Sequence, residues 1–334
     1  MKQVAIIGDG GWGTALALVL QRNDHQIRVW GPDADYLTAL QTGGENTKFL
    51  PGIPLPAELQ WTADPQVAVQ NADLVVLAVP SKYFRAVVQQ FAPYLADTPL
   101  LVSVTKGLDT QTHQRMSTTA EEIIGGPPVV ALSGPSHAEE VARGVPSAIV
   151  AACPDHDRAV AVQSFFNAPA FRVYTSNDVV GVELGGALKN VMAIAAGISD
   201  GIGYGDNTKA ALITRGLAEM TRLGQALGAH PATFSGLSGI GDLIVTCTSR
   251  HSRNRRVGEA LGQGETLEAI LARSEQVAEG VWNSANARAL AAELAIDAPI
   301  TDEVYAVVHQ GKAARDAVTD LLAREPRPER DESQ

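Results

Sequence analysis

Short, continuous apolar runs alternate with helical patterns through the first half of the chain. The first run is VAIIG at residues 4–8, and GTALALVLQRN at residues 13–23 follows it with helical character. Continuous apolar runs of this length predict strands that are buried on both faces. Such strands, separated by helices, indicate a parallel sheet of the doubly wound α/β type. The other predicted strands are residues 26–30, 73–78, 100–104, 129–132, 148–152 and 171–174.

The pattern changes after about Thr175, where long Ala- and Leu-rich stretches punctuated by glycine replace the Val- and Ile-rich runs. These stretches predict an all-helical second half. We therefore expect an α/β domain at residues 1–176 and a helical domain at residues 177–323. Residues 324–334 are charged and have almost nothing to bury, which predicts a disordered tail. The predicted helices are residues 179–198, 208–227, 255–261, 267–272, 285–294 and 301–308.

Composition narrows the class of protein. Hydrophobic residues make up 45% and charged residues 19% of the chain, which is enough to bury a large core. The formal net charge of −11 disfavours nucleic-acid binding and stable docking on an anionic membrane. Two cysteines without a CxxC motif argue against a disulfide scaffold or a thiolate metal site, and no other metal-ligand cluster is visible. The first apolar run is too short for a membrane span and lacks a signal-peptide cleavage region, so we expect a cytoplasmic protein.

A glycine-rich turn follows the first predicted strand and opens the first helix. Residues 8–13 (GDGGWG) fit GxGxxG inside a strand–helix–strand unit. Gly8 would permit a tight turn, Gly10 would let the backbone approach a pyrophosphate, and Gly13 would let helix and strand pack closely. The pyrophosphate would then meet the free N–H groups of the helix N-terminus. This turn predicts a Rossmann dinucleotide-binding domain.

The end of the second predicted strand leaves the choice between NAD and NADP open. An NAD site usually places a carboxylate there to bind the ribose hydroxyls. Trp30 and Gly31 occupy the expected position, and Asp33 comes later. No arginine directly follows the strand to hold a 2′-phosphate, and Arg28 lies within the strand. Without a carboxylate to repel a 2′-phosphate, the sequence slightly favours NADP or dual use.

Polar residues also follow later strands, at the sheet edge where ligands bind. Lys106 is well placed there to meet an anion, unless it is a surface lysine at a turn. Gly134 and Ser136 follow the next strand and offer close backbone approach and a hydroxyl. In the second half, Lys189 has small or apolar neighbours at helical spacing, with Asn190 beside it. Burying an ammonium is costly unless an anion compensates it, although a lysine can also reach the solvent with its charged end.

A second glycine-rich segment, residues 236–243 (GLSGIGDL), contains the carboxylate of Asp242. Thr246 follows one helical turn later if the segment is helical. Residues 251–256 (HSRNRR) then place three arginines in four positions of an otherwise acidic protein. Arginine forks match the geometry of phosphate, which favours a phosphorylated ligand over a merely solvated helix start.

Together these motifs resemble bacterial-type NAD(P)-dependent glycerol-3-phosphate dehydrogenases. The resemblance implies a Rossmann domain, a helical domain like that of 6-phosphogluconate dehydrogenase, and a cleft between them. It also implies reversible hydride transfer between NAD(P)H and dihydroxyacetone phosphate, which gives sn-glycerol 3-phosphate for phospholipid synthesis. A homodimer is expected of such enzymes. The matching segments are residues 8–17, 46–56, 104–108, 133–140, 181–220, 236–256 and 279–283.

The resemblance also implies roles for individual residues. Lys189 matches the catalytic lysine, the proton acceptor in the oxidation direction, and we group Lys106 and Asp242 with it. The expected substrate-binding residues are Lys106, Gly134, Ser136, Lys189, Asn190, Asp242, Thr246, Ser252, Arg253 and Asn254. The expected cofactor-binding residues are Gly8, Gly10, Gly11, Trp12, Gly13, Lys106, Ala138, Arg253, Val277 and Glu279. The chain departs from the family at Gly11, where serine is frequent, and at Ser136, where threonine is common.

The sequence leaves two alternative functions open. The first is a related two-domain dehydrogenase that acts on another small phosphorylated or hydroxy-acid substrate. The second is a nicotinamide-binding sensor without turnover, which would need the glycine-rich turn but not Lys189, Asp242 and Arg253 together. Cys247 lies near the proposed site and would make activity thiol-sensitive unless it is packed and neutral.

Overall fold

The computed structural model describes residues 1–96, 98–273, 277–326 and 328–329. Within these residues the strands form one eight-stranded sheet in the order β3-β2-β1-β4-β5-β6-β7-β8. Only β6 and β7 pair antiparallel there; the other neighbours are parallel. The predicted α/β class with a mainly parallel sheet is confirmed. The strands are β1 (Gln3–Ile7), β2 (Gln26–Trp30), β3 (Gln60–Thr62), β4 (Leu74–Leu77), β5 (Leu101–Ser103), β6 (Val130–Ser133), β7 (Ser147–Ala152) and β8 (Phe171–Ser176).

Helices cover both faces of this sheet, which explains its continuous apolar strands. In β1, Val4 and Ile6 join one core cluster, while Ala5 and Ile7 join a second cluster on the opposite face. Strand side chains alternate between faces, so a strand covered on both sides is apolar throughout. The covering helices are α1 (Gly11–Arg22), α2 (Ala34–Gly43), α3 (Pro65–Val69), α4 (Ser81–Leu95), α5 (Met116–Ile124), α6 (Ala138–Ala142) and α7 (His156–Phe166).

The helical part surrounds one long central helix, α8 (Val179–Ile202), almost every residue of which is buried. Each of the six helices predicted from the sequence is present, and α8 packs against α9, α11, α12 and α14. A π-helical turn, Leu237–Gly241, precedes α11. The other helices are α9 (Asp206–Ala226), α10 (Pro231–Phe234), α11 (Asp242–Thr248), α12 (Arg253–Gly262), α13 (Leu267–Ala272), α14 (Glu279–Glu293), α15 (Pro299–Gln310) and α16 (Ala314–Leu322).

The structure adds features that the hydrophobic pattern did not predict. The strand β7 runs antiparallel to β6, and apolar alternation cannot reveal this because either direction buries the same side chains. The edge strand β3 is three residues long and only partly buried, so it leaves no apolar run. The short helix α16 was not predicted either.

Two further predictions concern the domain boundary and the tail. The predicted domain boundary between residues 176 and 177 falls between β8 and α8. In the predicted tail, the Arg324 guanidinium pairs with the Asp297 carboxylate, and Arg215 donates to the carbonyl of Glu329. Residues 327 and 330–334 lie outside the described residues, so disorder of the whole tail stays a prediction.

One helix of the described chain, α8, is long and apolar enough to span a membrane by length and composition. The mean hydropathy of its 18-residue window is 1.4, and 94% of that window is buried inside the protein. The core helix of a globular protein meets the same criterion, and α8 has that position here.

Glycines allow α8 and α12 to cross in backbone contact. A Cβ added at Gly258 would lie 2.0 Å from the carbonyl oxygen of Ile194, and one at Gly197 would lie 2.0 Å from that of Arg255. Neither helix can move away from the other without opening the hydrophobic core cluster around α8. This crossing sets the start of α12 beside the middle of α8.

We expect Gly258→Ala to lower the free energy of unfolding by about 1–3 kcal/mol, because the added methyl overpacks the crossing. Gly43→Ala is the control: its added Cβ meets no atom within 4 Å, and its expected effect is below about 0.5 kcal/mol. Chemical unfolding of both variants measures the difference. Equal midpoints would contradict the backbone contact between α8 and α12.

Candidate active site

A cleft lies between the carboxyl ends of the sheet strands and the helices α8, α11 and α12. It has a volume of about 190 Å³ and joins the glycine-rich turn to the lysines selected from the sequence. The carboxyl ends of parallel strands are the usual ligand edge of such sheets. Most of the predicted site residues line this cleft: Gly10, Gly11, Trp12, Lys106, Ser136, Ala138, Lys189, Asn190, Thr246, Ser252, Arg253, Asn254, Val277 and Glu279.

The glycine-rich turn has the shape of a pyrophosphate cradle. Gly8 has a φ of +126°, and a Cβ there would lie 2.4 Å from the carbonyl oxygen of Ala78. A Cβ at Gly13 would lie 2.2 Å from the carbonyl oxygen of Gly8, whereas one at Gly10 would meet nothing within 4 Å. Among the residues that the structure describes, no side chain forms a capping hydrogen bond at the start of α1. The open space at Gly10 and the uncapped N–H groups fit the phosphates of a dinucleotide.

Position 11 has no room for the serine that is frequent in the family. A Cβ at Gly11 would lie 2.5 Å from the carbonyl oxygen of Phe49. The departure noted in the sequence therefore reflects close packing of the segment around Phe49 against α1.

The centre of the cleft is an aspartate between two lysines. Asp242, the first residue of α11, accepts from Lys189 Nζ at 2.5 Å through Oδ1 and from Lys106 Nζ at 2.8 Å through Oδ2. Lys189 comes from the middle of α8, and Lys106 follows β5. The aspartate side chain is 1% exposed. Elements far apart in sequence thus meet at one carboxylate.

Burial and charge act against each other in this cluster. Burial lowers the pKa of Lys189, Asp242 partly restores it, Lys106 lowers it again, and the result is about 8. Burial alone would raise the pKa of Asp242, but the two ammonium groups outweigh it and hold this pKa below its usual value. The aspartate therefore stays ionised, and Lys189 can change its protonation state near neutral pH.

Lys106 is held by every hydrogen bond that its ammonium can donate. Its Nζ lies 2.7 Å from the carbonyl oxygen of Gly134 and 3.1 Å from Ser136 Oγ, in addition to Asp242. Gly134 has a φ of +140°, which favours glycine. An ammonium has three N–H donors, so these acceptors fix Lys106 in place.

Lys189 is held less completely. Besides Asp242, its Nζ donates to Thr246 Oγ1 at 2.7 Å, and this hydroxyl in turn donates to the Asp242 carbonyl oxygen at 2.6 Å. Within the described part of the chain these are its two acceptors, so one of its three N–H groups is left for a ligand in the cleft. This difference separates the two lysines: Lys106 is a fixed charge and Lys189 has a donor to offer.

Two buried asparagines connect α8 to α12 and α14. Asn254 Nδ2 donates to Asn190 Oδ1 at 2.8 Å, and the Gly280 N–H donates to Asn254 Oδ1 at 2.9 Å. Asn190 Nδ2 also donates to the carbonyl oxygen of Lys106. The network holds the start of α12 against the lysine cluster.

The arginine-rich segment does not converge on one ligand. Arg253 is exposed at the cleft, where its Nη1 donates to the Val277 carbonyl oxygen at 3.2 Å. Arg255 instead pairs with Asp200 at 2.6 Å, on another side of α12. Ser252 caps this helix by accepting from the Arg255 N–H. Side chains at neighbouring helix positions point in different directions, and of the three arginines Arg253, the one predicted as a site residue, lines the cleft.

Glu279, predicted to contact the cofactor, faces the cleft from the start of α14. Its carboxylate accepts from the N–H of Ser81 at 2.9 Å and from the Ser81 hydroxyl, and burial raises its pKa. Ser81 begins α4, directly after β4 and its short connection. Glu279 therefore joins the helical part to the ligand edge of the sheet.

Two histidines in the cleft were not selected from the sequence. The rings of His137 and His251 lie 5.9 Å apart between centroids, and both residues line the cleft. Burial lowers the pKa of His137, and the nearby Lys189 lowers it further. Each histidine adjoins a predicted residue, Ser136 or Ser252, but no periodicity or spacing distinguished them.

Cys247 is buried beside the site in α11. Burial raises the pKa of this thiol to about 12, although the Lys189 ammonium opposes the shift. A protonated, inaccessible thiol is a poor nucleophile, so the packed and neutral reading of Cys247 is the better one.

A larger cavity of about 480 Å³ lies elsewhere, between α9, α15 and α16. Aliphatic side chains such as Leu212, Ile300 and Leu321 line it together with arginines and glutamates, and neither Lys189 nor Asp242 contributes to it. Most of the residues selected from the sequence lie in the smaller cleft instead.

Comparisons with known proteins agree with this geometry. The family model for the NAD-dependent glycerol-3-phosphate dehydrogenase N-terminus matches residues 3–159, and that for the C-terminus matches residues 178–319. The chain is 48% identical over 325 residues to glycerol-3-phosphate dehydrogenase (NAD(P)+) of Pelotomaculum thermopropionicum, which covers 96% of the chain and 93% of the relative. Its identity to the Geobacillus kaustophilus enzyme of the same name is 48%, over 99% of the chain and 97% of the relative. The crystal structure of glycerol-3-phosphate dehydrogenase from Coxiella burnetii superposes with a TM-score of 0.93 at 38% identity, covering 97% of this chain and 99% of that one.

Proposed function

The chain belongs to the NAD-dependent glycerol-3-phosphate dehydrogenase family, and we propose that it reduces dihydroxyacetone phosphate reversibly to sn-glycerol 3-phosphate with NAD(P)H. The observation that carries this proposal is the Lys189 ammonium, which is buried beside Asp242 and keeps one N–H donor for the cleft.

The cofactor would be held at the glycine-rich turn, with its phosphates at the start of α1. Ala138, Val277 and Glu279 line the cleft beyond this turn and, with Trp12 of the turn itself, would surround the nicotinamide end. When bound, the reduced cofactor supplies a hydride for the carbonyl carbon of the substrate. The protein has to place the substrate carbonyl and manage the proton.

Lys189 is the proposed proton donor. Reduction of a ketone develops negative charge on its oxygen, and a buried ammonium nearby stabilises that charge and supplies the proton. A pKa of about 8 keeps Lys189 mostly protonated at pH 7. The same value makes the neutral amine available as a base in the oxidation direction.

Asp242 and Lys106 are proposed to control the properties of Lys189. The aspartate orients the Lys189 ammonium and partly offsets the cost of burying it. Lys106, with its donors fully used, adds a fixed positive charge that stabilises an anionic substrate and keeps Lys189 from becoming too weak an acid. Both residues act on the proton transfer without giving up a proton themselves.

Arg253 is proposed to bind the substrate phosphate. Its guanidinium is exposed to the cleft at the start of α12, next to the buried amide of Asn254. Ionic hydrogen bonds to a phosphate would fix one end of the substrate and orient its carbonyl toward Lys189. Binding energy from the phosphate is thereby converted into alignment at the reacting carbon.

The two alternatives from the sequence make different use of this site. A sensor without turnover would need the cradle but gains nothing from a desolvated lysine with an unused donor. The desolvated lysine therefore favours catalysis. Arginine pairs with carboxylate as well as with phosphate, so Arg253 fits a hydroxy acid too, and the comparison substrates below separate the two dehydrogenases.

The cellular setting is also part of the proposal. The net charge of −11 favours an enzyme that acts in the cytoplasm rather than bound to an anionic membrane. Its product, sn-glycerol 3-phosphate, would enter phospholipid synthesis. The expected homodimer rests on the resemblance alone, and light scattering on the purified protein measures it.

A direct assay tests the proposal. Purified protein is mixed with dihydroxyacetone phosphate and either NADH or NADPH, and the loss of reduced-nicotinamide absorbance is followed. Unphosphorylated dihydroxyacetone and ketopantoate serve as comparison substrates. Rapid turnover of dihydroxyacetone phosphate alone is expected; cofactor binding without turnover, or preference for ketopantoate, would refute the assignment.

We expect Lys189→Met to lower kcat by about 10²–10⁴-fold, because the proton donor is lost while the buried volume is nearly kept. The Kd for NADH, measured by fluorescence titration, should change far less. Lys2→Met, at an exposed lysine paired with Asp73, is the control and should retain wild-type kcat. An equal loss of kcat and cofactor affinity in Lys189→Met would argue for a structural role.

The pKa of Lys189 predicts opposite pH profiles in the two directions. Because reduction needs the protonated lysine, kcat/KM for reduction should be level below pH 8 and fall about tenfold per unit above it. Oxidation needs the neutral amine, so its kcat/KM should rise through the same range. Asp242→Asn removes the carboxylate that raises this pKa, so the break should move to lower pH; a break that stays near pH 8 would contradict the proposed coupling.

We expect Arg253→Ala to raise the KM for dihydroxyacetone phosphate about 10–100-fold, the equivalent of losing a charge-assisted hydrogen bond. The slow turnover expected for unphosphorylated dihydroxyacetone in the wild type should not fall further in this variant. Arg256→Ala removes the same charge from an exposed position of the same helix and is the matched control. Comparable effects in both variants would point to general electrostatics instead of a phosphate contact.

A further inference from the structure

The carboxylate of Asp9 occupies the space just beyond the end of β2. Gly31, which follows this strand, has no side chain. A Cβ built on Gly31 would lie 2.6 Å from Asp9 Cγ and 2.7 Å from Asp9 Oδ2. The acid from the glycine-rich turn therefore stands where a side chain at position 31 would begin.

The backbone around Asp9 is fixed. Its carbonyl oxygen accepts from Asn46 Nδ2 at 2.8 Å and from Thr14 Oγ1 at 3.3 Å, and Asn46 is completely buried. The neighbouring Gly8 N–H donates to the carbonyl oxygen of Trp30 at 2.9 Å, which ties the turn to the end of β2. The backbone that carries the Asp9 side chain is thus tied to the end of β2 and to Asn46.

The sequence left the direction of the Arg28 side chain open, and the structure shows it directed toward β3 and α3. Its guanidinium donates to the carbonyl oxygens of Val67 at 2.5 Å and Gln70 at 3.3 Å, and to the Gln60 side chain at 3.4 Å. These partners belong to β3 and to α3 and its end. Arg28 is therefore committed elsewhere and does not offer a cation for a 2′-phosphate.

Two other charged residues influence Asp9. Burial raises the pKa of Asp9, the Lys48 ammonium lowers it, and Asp33 raises it again. Asp33 caps α2 by accepting from the Tyr36 N–H at 3.0 Å, and Lys48 Nζ lies 5.1 Å from the centre of the Phe49 ring. The region thus has two carboxylates and one ammonium, a balance that is unfavourable to an additional phosphate.

We propose that Asp9 selects NAD over NADP by taking the role usually filled by an acid at the end of the second strand. From the space beside Gly31 its carboxylate would accept hydrogen bonds from the adenosine ribose hydroxyls, and it would repel a 2′-phosphate at the same place. This inference rests on the proposed function, since it assumes that the turn binds a nicotinamide dinucleotide. It reverses the preference for NADP that the residues after β2 suggested.

Direct binding tests the inference separately from catalysis. The Kd values of NADH and NADPH are measured by fluorescence titration for the wild type, Asp9→Asn and Asp9→Ser, with thermal melting to establish folding. We expect the wild type to bind NADH at least about tenfold more tightly, the value of one hydrogen-bond or charge contact. Both variants should bring the two Kd values within about threefold, through weaker NADH binding and tighter NADPH binding. Asp35→Asn removes the same charge from an exposed position of α2 and should keep the wild-type ratio.

The outcomes separate the possible failures. Wild-type protein that binds NADPH as tightly as NADH would overturn the inference but leave the proposed function intact. A preference for NADH that survives in whichever of the two Asp9 variants folds would also overturn it, as would tight NADPH binding that is lost in Lys48→Met. Failure to bind either cofactor would refute the proposed function itself.

Discussion

The constraint on which the rest of the site depends is the burial of the Lys189 ammonium. A charge 6% exposed in the middle of an apolar helix is tolerable only beside an opposite charge, and Asp242 provides it. The aspartate is itself buried and is stabilised by Lys106, which follows β5. Lys189 and Asp242 both belong to the helical part, and Lys106 joins their cluster from the α/β part. The two parts of the chain are therefore joined by the ion pair between Lys106 and Asp242, and the cleft lies beside it.

Glycines in α8 allow Lys189 and Asp242 to be buried this deeply. A Cβ at Gly185 would lie 2.3 Å from the carbonyl oxygen of Ser238, so α8 touches the backbone just before Asp242. On the next turns of α8, Gly197 meets α12 in the same way. The small residues that surround Lys189 in the sequence are thus not merely apolar neighbours. They allow the segment carrying Asp242 and the helix carrying Arg253 to approach the lysine.

Patterns within one element were predictable from the sequence, and contacts between elements mostly were not. The strands and α8 leave periodic or continuous apolar runs, and Asp242 and Thr246 are joined by helical spacing alone. That Lys189 meets Asp242 was expected from the family resemblance and from the cost of burying a lysine, not from any spacing. Other features depend on tertiary packing, which no local pattern records. They are the antiparallel direction of β7, the ion pair between Arg255 and Asp200, and the position of the Asp9 carboxylate beside Gly31.

The position of Lys189 in α8 also has a consequence for motion. Helices in the centre of a core open to solvent only when most of the domain unfolds, whereas peripheral segments open at much lower cost. The proposed proton donor therefore sits in a slowly exchanging part of the molecule. Any movement that admits substrate or releases product has to come from the surrounding walls, such as the starts of α12 and α14, while the lysine itself remains a stationary reference point for the reaction.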